Sequence, residues 1–312
     1  QLDSVDAKKE DIDQWSIGGS DHWYDVSNHR VRAWNHDMTT WAVQASALRT
    51  VSNTYNIFVV ESFMDELAHI SGKDPIEFRL AMLDASGKNA GSAPNSVGGT
   101  KRLAAAIEDV RDRSGWGRVL PENEALGFAA CCGQERNMPT WIGCVAHVAV
   151  DPDTSKVTVK KIWQSIDCGT VVHPDGAMAQ AEGASLWGVS LALHEGANFA
   201  NGEVAERNLD AYTPLRMRDV PELDLKFMES TEFPTGLGEP PLIAVPPAIE
   251  THVDALSERE AGRLHVLQHV TGDIERVGDH AVNIAEDVVF HVEAEDIRHP
   301  RDEGGESAGE AD

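Results

Sequence analysis

All eight tryptophans of this 312-residue chain lie between Trp15 and Trp187, and the last lysine is Lys226, whereas six of the thirteen histidines come after residue 250. Residues 250–312 carry 17 acidic and 5 basic side chains and no indole to fill a core. A chain that changes character so sharply reads as two unlike segments joined, and the length, at roughly 150 residues per domain, agrees with that. The first segment holds the large apolar side chains. With 41% apolar residues overall, a disordered acidic chain is excluded.

The net charge is −26, from 52 acidic and 26 basic residues. A surface this negative repels phosphate backbones and anionic lipid, so nucleic acid and membrane surfaces are excluded as partners unless a basic patch exists, and none is found. Acid dispersed along the chain with little lysine fits solubility in high salt, where screening shortens the self-repulsion. No stretch approaches about 18 consecutive apolar residues, and residues 1–15 lack the basic-then-apolar design of a secretory leader. The expectation is a soluble, cytoplasmic protein. Cys131, Cys132, Cys144 and Cys168 form no CxxC pair, so spacing encodes neither a zinc site nor an iron-sulfur cluster. Reduced, buried thiols are predicted.

In the first segment, apolar residues at three- and four-residue spacing from Ile57 to Ile70 predict an amphipathic helix that ends at Gly72. Asp74, Pro75 and Glu77 form a capping signature for a second helix carrying Phe78, Leu80 and Leu83. A Gly/Ser/Asn/Ala-rich loop over 84–99 precedes a helix at about 100–114. Val145, Val148 and Val150, then Asp151-Pro-Asp-Thr-Ser, then Val157 to Trp163, predict a hairpin. Asp175 to Leu193 suits a helix packed closely against backbone or cofactor, and Leu223 to Met228 a further strand. The fold class is α+β, mixed sheet with packed helices.

Glu239 lies in Gly236-Leu-Gly-Glu-Pro-Pro241, between two glycines and two prolines. The prolines pin the backbone and the glycines permit close approach of a flat ligand, so this carboxylate can serve as a positioned base. Burial of such a base raises its pKa toward the working pH.

Four landmarks follow in fixed order: Leu48-Arg49-Thr-Val-Ser with Val60-Glu-Ser-Phe-Met-Asp-Glu-Leu; Asp167-Cys-Gly-Thr-Val-Val-His-Pro-Asp175; Ala179-Gln-Ala-Glu-Gly-Ala184; and Gly236-Leu-Gly-Glu-Pro240. Together, over about residues 15–249, they resemble the molybdopterin-binding subunit of the xanthine dehydrogenase and aldehyde oxidase family, in its isoquinoline 1-oxidoreductase β-subunit branch. The resemblance implies a molybdenum-dependent hydroxylase or dehydrogenase for aldehydes or N-heteroaromatic compounds, using a molybdopterin cytosine dinucleotide-type cofactor. It also implies Glu239 as the catalytic base and Arg49, Gln180, Gly183, Gly236 and Gly238 as cofactor contacts. Two departures stand out: Tyr55 where the family has Gln six residues after the arginine, and His173 where it commonly has Asn. The Met-Gly-Gln-Gly and Gly-Gly-Gly-Phe-Gly elements of the family's N-terminal half do not occur. The chain is therefore read as the C-terminal part of such a subunit. Its implied partners are an iron-sulfur (2Fe-2S) electron-transfer subunit, a separate N-terminal molybdopterin-binding chain and a small-molecule substrate.

In the second segment, Leu267, Val270, Ile274, Val277, Ala281, Ile284 and Val288 make a helical seam, with Glu275, Asp279, Asn283 and Glu286 roughly opposite. Asp273 to Asp287 resembles the last helix of PhoU, the phosphate-uptake regulator, over about residues 260–299, with Glu275 and Asp279 as implied cation ligands. Residues 300–312 are expected to form a disordered acidic tail. The alternatives to the enzyme reading are a PhoU-like phosphate-signalling or metal-binding adaptor and an inactive fusion.

Overall fold

The computed structural model describes residues 18–20, 22–26, 48–83, 99–135, 138–200 and 203–250. Residues 260–299, with Glu275 and Asp279, and the expected acidic tail at 300–312 lie outside the described residues. The elements are α1 (Asn53–Ile70), α2 (Pro75–Ala81), α3 (Gly99–Ser114), β1 (Glu124–Glu135), β2 (Met138–Val150), β3 (Val157–Asp167), α4 (Pro174–Leu193), β4 (Phe199–Ala200), β5 (Glu203–Val204), β6 (Glu222–Phe227) and α5 (Pro240–Ile243). Among the described residues no helix is long and apolar enough to cross a membrane.

The local signals work as the sequence predicts. After α1, Gly72 takes φ +63°, the Gly72 N–H bonds to the His69 carbonyl (2.9 Å) and the Lys73 N–H to that of Ala68 (3.0 Å). This is the paired closure that a left-handed glycine permits. The Asp74 carboxylate accepts from the N–H groups of Ile76 (2.9 Å) and Glu77 (3.1 Å), with Pro75 at the first helical position.

β1, β2, β3 and β6 form one sheet in that order, antiparallel from β1 to β3 and parallel between β3 and β6. The predicted hairpin is β2–β3. Its register shifts where His147 faces Lys161 but Val148 faces Val159, leaving Lys160 as an extra residue. That bulge reverses the alternation, so Val159 and Ile162 both enter the same core.

Both faces of the sheet are covered. On one side Phe128, Trp141, Val145 and Trp163 pack with Ile76 of α2 and Leu103, Ile107 and Val110 of α3. On the other, Ala129, Ile142, Cys144, Ile162 and Ile166 pack with Ala181 and Val189 of α4, with Ile243, and with Val245 to Ile249, where the backbone is helical again over 245–250. All four cysteines are buried, and none forms a disulfide.

The predicted amphipathic helix forms as α1, and its buried stripe includes a carboxylate. Its buried residues are Ile57, Glu61, Met64 and Ala68, while Val59 and Phe63 are more than half exposed. Glu61 takes a core position because it is fully partnered. Its carboxylate accepts from Tyr24 Oη (2.8 Å), Arg79 Nε (3.0 Å) and the N–H of Ala130 on edge strand β1 (2.8 Å). Arg79, also buried, donates further to Asp65 (2.6 Å) and to the Glu61 carbonyl (2.8 Å). Burial opposes the charge on Arg79, but Glu61 and Asp65 outweigh it and hold the guanidinium protonated. Burial also pushes the Glu61 carboxyl up, against the pull of Arg79 and the Ala130 N–H. The cluster caps part of an otherwise unpaired sheet edge.

Candidate active site

The loop of residues 235–239 reaches across the ends of the strands and is anchored from the Asp167-Cys-Gly-Thr turn. Arg102 grips Asp167 with two bonds (2.8 and 2.6 Å), and Asp167 accepts the Gly169 N–H (3.1 Å). From that turn, the Cys168 carbonyl accepts the Thr235 N–H (2.8 Å) and the Thr170 N–H bonds to Glu232 (2.9 Å). On β1, Gly133 leaves space for Pro240: a Cβ there would lie 2.5 Å from the proline Cβ and 2.9 Å from its Cα.

Glu239 is the residue before α5. Its carbonyl accepts the Leu242 N–H (3.0 Å), and its side chain does not cap the helix. The carboxylate is half-buried and, among the described residues, has no hydrogen-bond or ion-pair partner.

Arg49 meets this loop from the far end of the chain. Its Nε donates to the Gly238 carbonyl (2.5 Å), its Nη2 to Gln180 Oε1 (3.2 Å), and the guanidinium lies 5.5 Å from the centre of the Trp187 ring. The two residues that follow, Thr50 and Val51, hold φ of +79° and +49°. β-Branched residues rarely adopt that region, and such strain costs on the order of 1–3 kcal/mol per residue. Here the Val51 N–H to Leu48 (2.9 Å) and the Asn53 N–H and side chain to Thr50 (2.9 and 3.1 Å) over-determine the turn that aims Arg49.

On α4, Gln180 and Gly183 are exposed, and a Cβ on Gly183 would meet nothing within 4 Å. Farther along, Gly188 is pressed against α5 and the segment after it, since a Cβ there would lie 2.7 Å from Val245 and 2.9 Å from the Leu242 carbonyl. The helix is thus packed at one end and open at the other. His173 caps it, its Nδ1 accepting the Gly176 N–H (2.9 Å), a structural task that Asn also performs. Tyr55 is about half exposed on α1.

The structure therefore brings Arg49, Gln180 and Gly238 into contact, with Glu239 adjacent in sequence to Gly238. Gly236 is tied elsewhere, its carbonyl accepting from Thr140 Oγ1 (2.6 Å). Since Gln180 spends its oxygen on Arg49, its amide N–H groups remain for a ligand, beside a guanidinium and an unobstructed glycine. Cationic and amide donors around an open helix face fit an oxygen-rich, anionic ligand such as a pterin or its phosphate. Sequence reasoning missed Thr140 and Gln164, whose contacts with the loop become visible only once the strands are assembled.

Residues 114–221 match the molybdopterin cofactor-binding domain family. Over 246 residues, 78% of this chain, the sequence is 49% identical to a protein from Gluconacetobacter polyoxogenes named as a membrane-bound aldehyde dehydrogenase [pyrroloquinoline-quinone], of which it covers 32%. It is 28% identical over 72% of its length to isoquinoline 1-oxidoreductase subunit beta of Brevundimonas diminuta, covering 27% of that protein. The fold resembles that of the aldehyde oxidoreductase from Desulfovibrio desulfuricans, with a TM-score of 0.57 and 15% identity over 75% of this chain and 42% of the other. The chain spans about a third or less of these two sequence relatives. The matches support a molybdopterin cofactor-binding domain within the chain and a similarity to oxidoreductase subunits of the isoquinoline and xanthine dehydrogenase kind.

Proposed function

We propose that this chain supplies the base-bearing part of a molybdenum-dependent hydroxylase or dehydrogenase acting on aldehydes or N-heteroaromatic compounds. The observation that carries this reading is the meeting of Arg49 with Gln180 and Gly238, each more than a hundred positions away from it, on an open face next to a carboxylate that has no partner among the described residues. Arg49 and Gln180 would hold oxygen atoms of the molybdopterin cofactor, Gly183 would leave room for its flat body, and Gly236 and Gly238 would let the loop lie close. When bound, the cofactor supplies two-electron oxidation of the substrate carbon. Glu239 would take up the proton released as oxygen is added to that carbon, and a half-buried carboxylate with no ion-pair partner among the described residues is free to do so.

The similarity to a protein named as an aldehyde dehydrogenase favours aldehydes over N-heterocycles. The cysteines of this chain do not have iron-sulfur spacing, so electrons would pass to a separate 2Fe-2S subunit. A further chain or segment would complete the cofactor's binding surface. Counting molybdenum and iron per chain by elemental mass spectrometry, on protein purified in high salt with its partner chains, tests this reading. Near-stoichiometric molybdenum, reduced in an Arg49→Ala variant, supports it. Molybdenum-free protein from a host that loads other molybdenum enzymes contradicts it.

A further inference from the structure

The Glu239 loop is held to the sheet by side chains. Gln164 on β3 is fully buried among apolar neighbours, where an amide is costly unless bonded. Its Nε2 donates to the Pro241 carbonyl (2.7 Å) and its Oε1 accepts from Ser185 Oγ of α4 (3.2 Å). Thr140 on β2 is equally buried, and its Oγ1 lies 2.6 Å from the Gly236 carbonyl and 2.8 Å from Thr235 Oγ1. A leucine and a valine would fill these places with less desolvation, yet each position carries a donor aimed at the loop. Together with Arg49 on the Gly238 carbonyl, the contacts fall at residues 236, 238 and 241, on both sides of residue 239.

We propose that Thr140 and Gln164 are positioning residues for Glu239, fixing its backbone against the sheet so that the carboxylate is held at a set distance from the proton it takes up. This rests on the reading of Glu239 as the base. Small errors in the placement of a catalytic group reduce turnover more than binding, so the effect should fall on kcat.

The test uses the cofactor-loaded enzyme with its partner chains, in Gln164→Leu, Thr140→Val and Thr140→Ser forms. Removing either donor should speed amide exchange over residues 236–243 about tenfold, the Leu242 N–H included. It should lower kcat about tenfold with KM within about threefold, and move the acid limb of the kcat–pH profile, with molybdenum content unchanged. Thr140→Ser, which restores the hydroxyl, should recover all three readouts. Thr140→Val keeps the side chain's shape and gives the result on its own if Gln164→Leu fails to fold. The proposal is overturned if exchange and kcat stay at wild-type values in the donor-free variants, or if Thr140→Ser is as impaired as Thr140→Val. Faster exchange alongside a fully active Glu239→Gln variant overturns the base reading alone and still supports the loop-holding role.

Discussion

Glu61 and Glu239 show two ways in which one fold treats a carboxylate. Glu61 is 1% exposed and locked at the side chain, by Tyr24, Arg79 and the Ala130 N–H. Glu239 is locked at the backbone, by the bonds from Arg49, Thr140 and Gln164 to its neighbours and by Pro240 against Gly133, while its carboxylate stays unpartnered among the described residues. Constraint placed on the side chain makes a structural group. Constraint placed on the backbone beneath a free side chain makes one available for chemistry.

The largest effect that sharpens this contrast is on stability. Removing Glu61 leaves the buried Arg79 with Asp65 as its one remaining described counter-charge and orphans the Tyr24 hydroxyl and the Ala130 N–H, and breaking a buried pair costs about 3–5 kcal/mol, so Glu61→Ala should shift the urea midpoint strongly or abolish soluble protein. Glu239→Ala should stay within about 0.5 kcal/mol of wild type. Equal losses in the two variants would erase the distinction. Next, Gly133→Ala forces a Cβ to 2.5 Å from Pro240, which cannot yield without moving the loop. Overpacking of this kind costs about 1–3 kcal/mol, and turnover should fall in the same variant. A thermal midpoint at the wild-type value would show that the loop is not clamped there.

Smaller effects concern pH. Asp109 on α3 is raised by partial burial, but donors from Lys226 (2.5 Å), Ser165 (2.6 Å) and Arg113 (3.4 Å) outweigh that and hold its carboxyl below the ordinary value. A carboxyl lowered in the folded state adds stability that is fully present above its unfolded pKa of about 4 and is lost as pH falls through the lower folded value. Thermal midpoints measured from pH 6 to pH 2 should decline, and Asp109→Asn should flatten the curve; an unchanged curve contradicts the assignment. The smallest effect is chemical. Burial pushes the Cys144 thiol up to about 12 and Cys168, beside Asp167, up to about 11, so both stay protonated at pH 8. A maleimide should label neither in the native protein and both after denaturation.

Much of this was legible in the sequence where a local signal has a local cause. Asp74 and Gly72 delimit helices by backbone chemistry that needs no tertiary context, and the Asp151-Pro-Asp-Thr-Ser turn announces the β2–β3 hairpin. Strand β1 went unread because both of its faces are buried. Phe128 and Ala130 face one core and Ala129 and Cys131 the other, so no alternation of apolar and polar residues marks it. Which residues α1 buries was not legible for a related reason: spacing predicts an amphipathic helix, but it does not reveal that Glu61 can occupy the buried stripe when Arg79 and Tyr24 arrive from elsewhere. At the candidate site, Arg49, Gln180 and Glu239 stood out by motif, whereas Thr140 and Gln164 look like ordinary strand residues until β2 and β3 pass beneath the loop.

The proposed role of Glu239 as the base is decided by the turnover of the molybdenum-loaded complex carrying Glu239→Gln. A positioned general base contributes about 10²- to 10⁴-fold, so kcat should fall by at least about a hundredfold on aldehydes, with molybdenum per chain and thermal midpoint unchanged. Wild-type turnover by that variant would contradict the account.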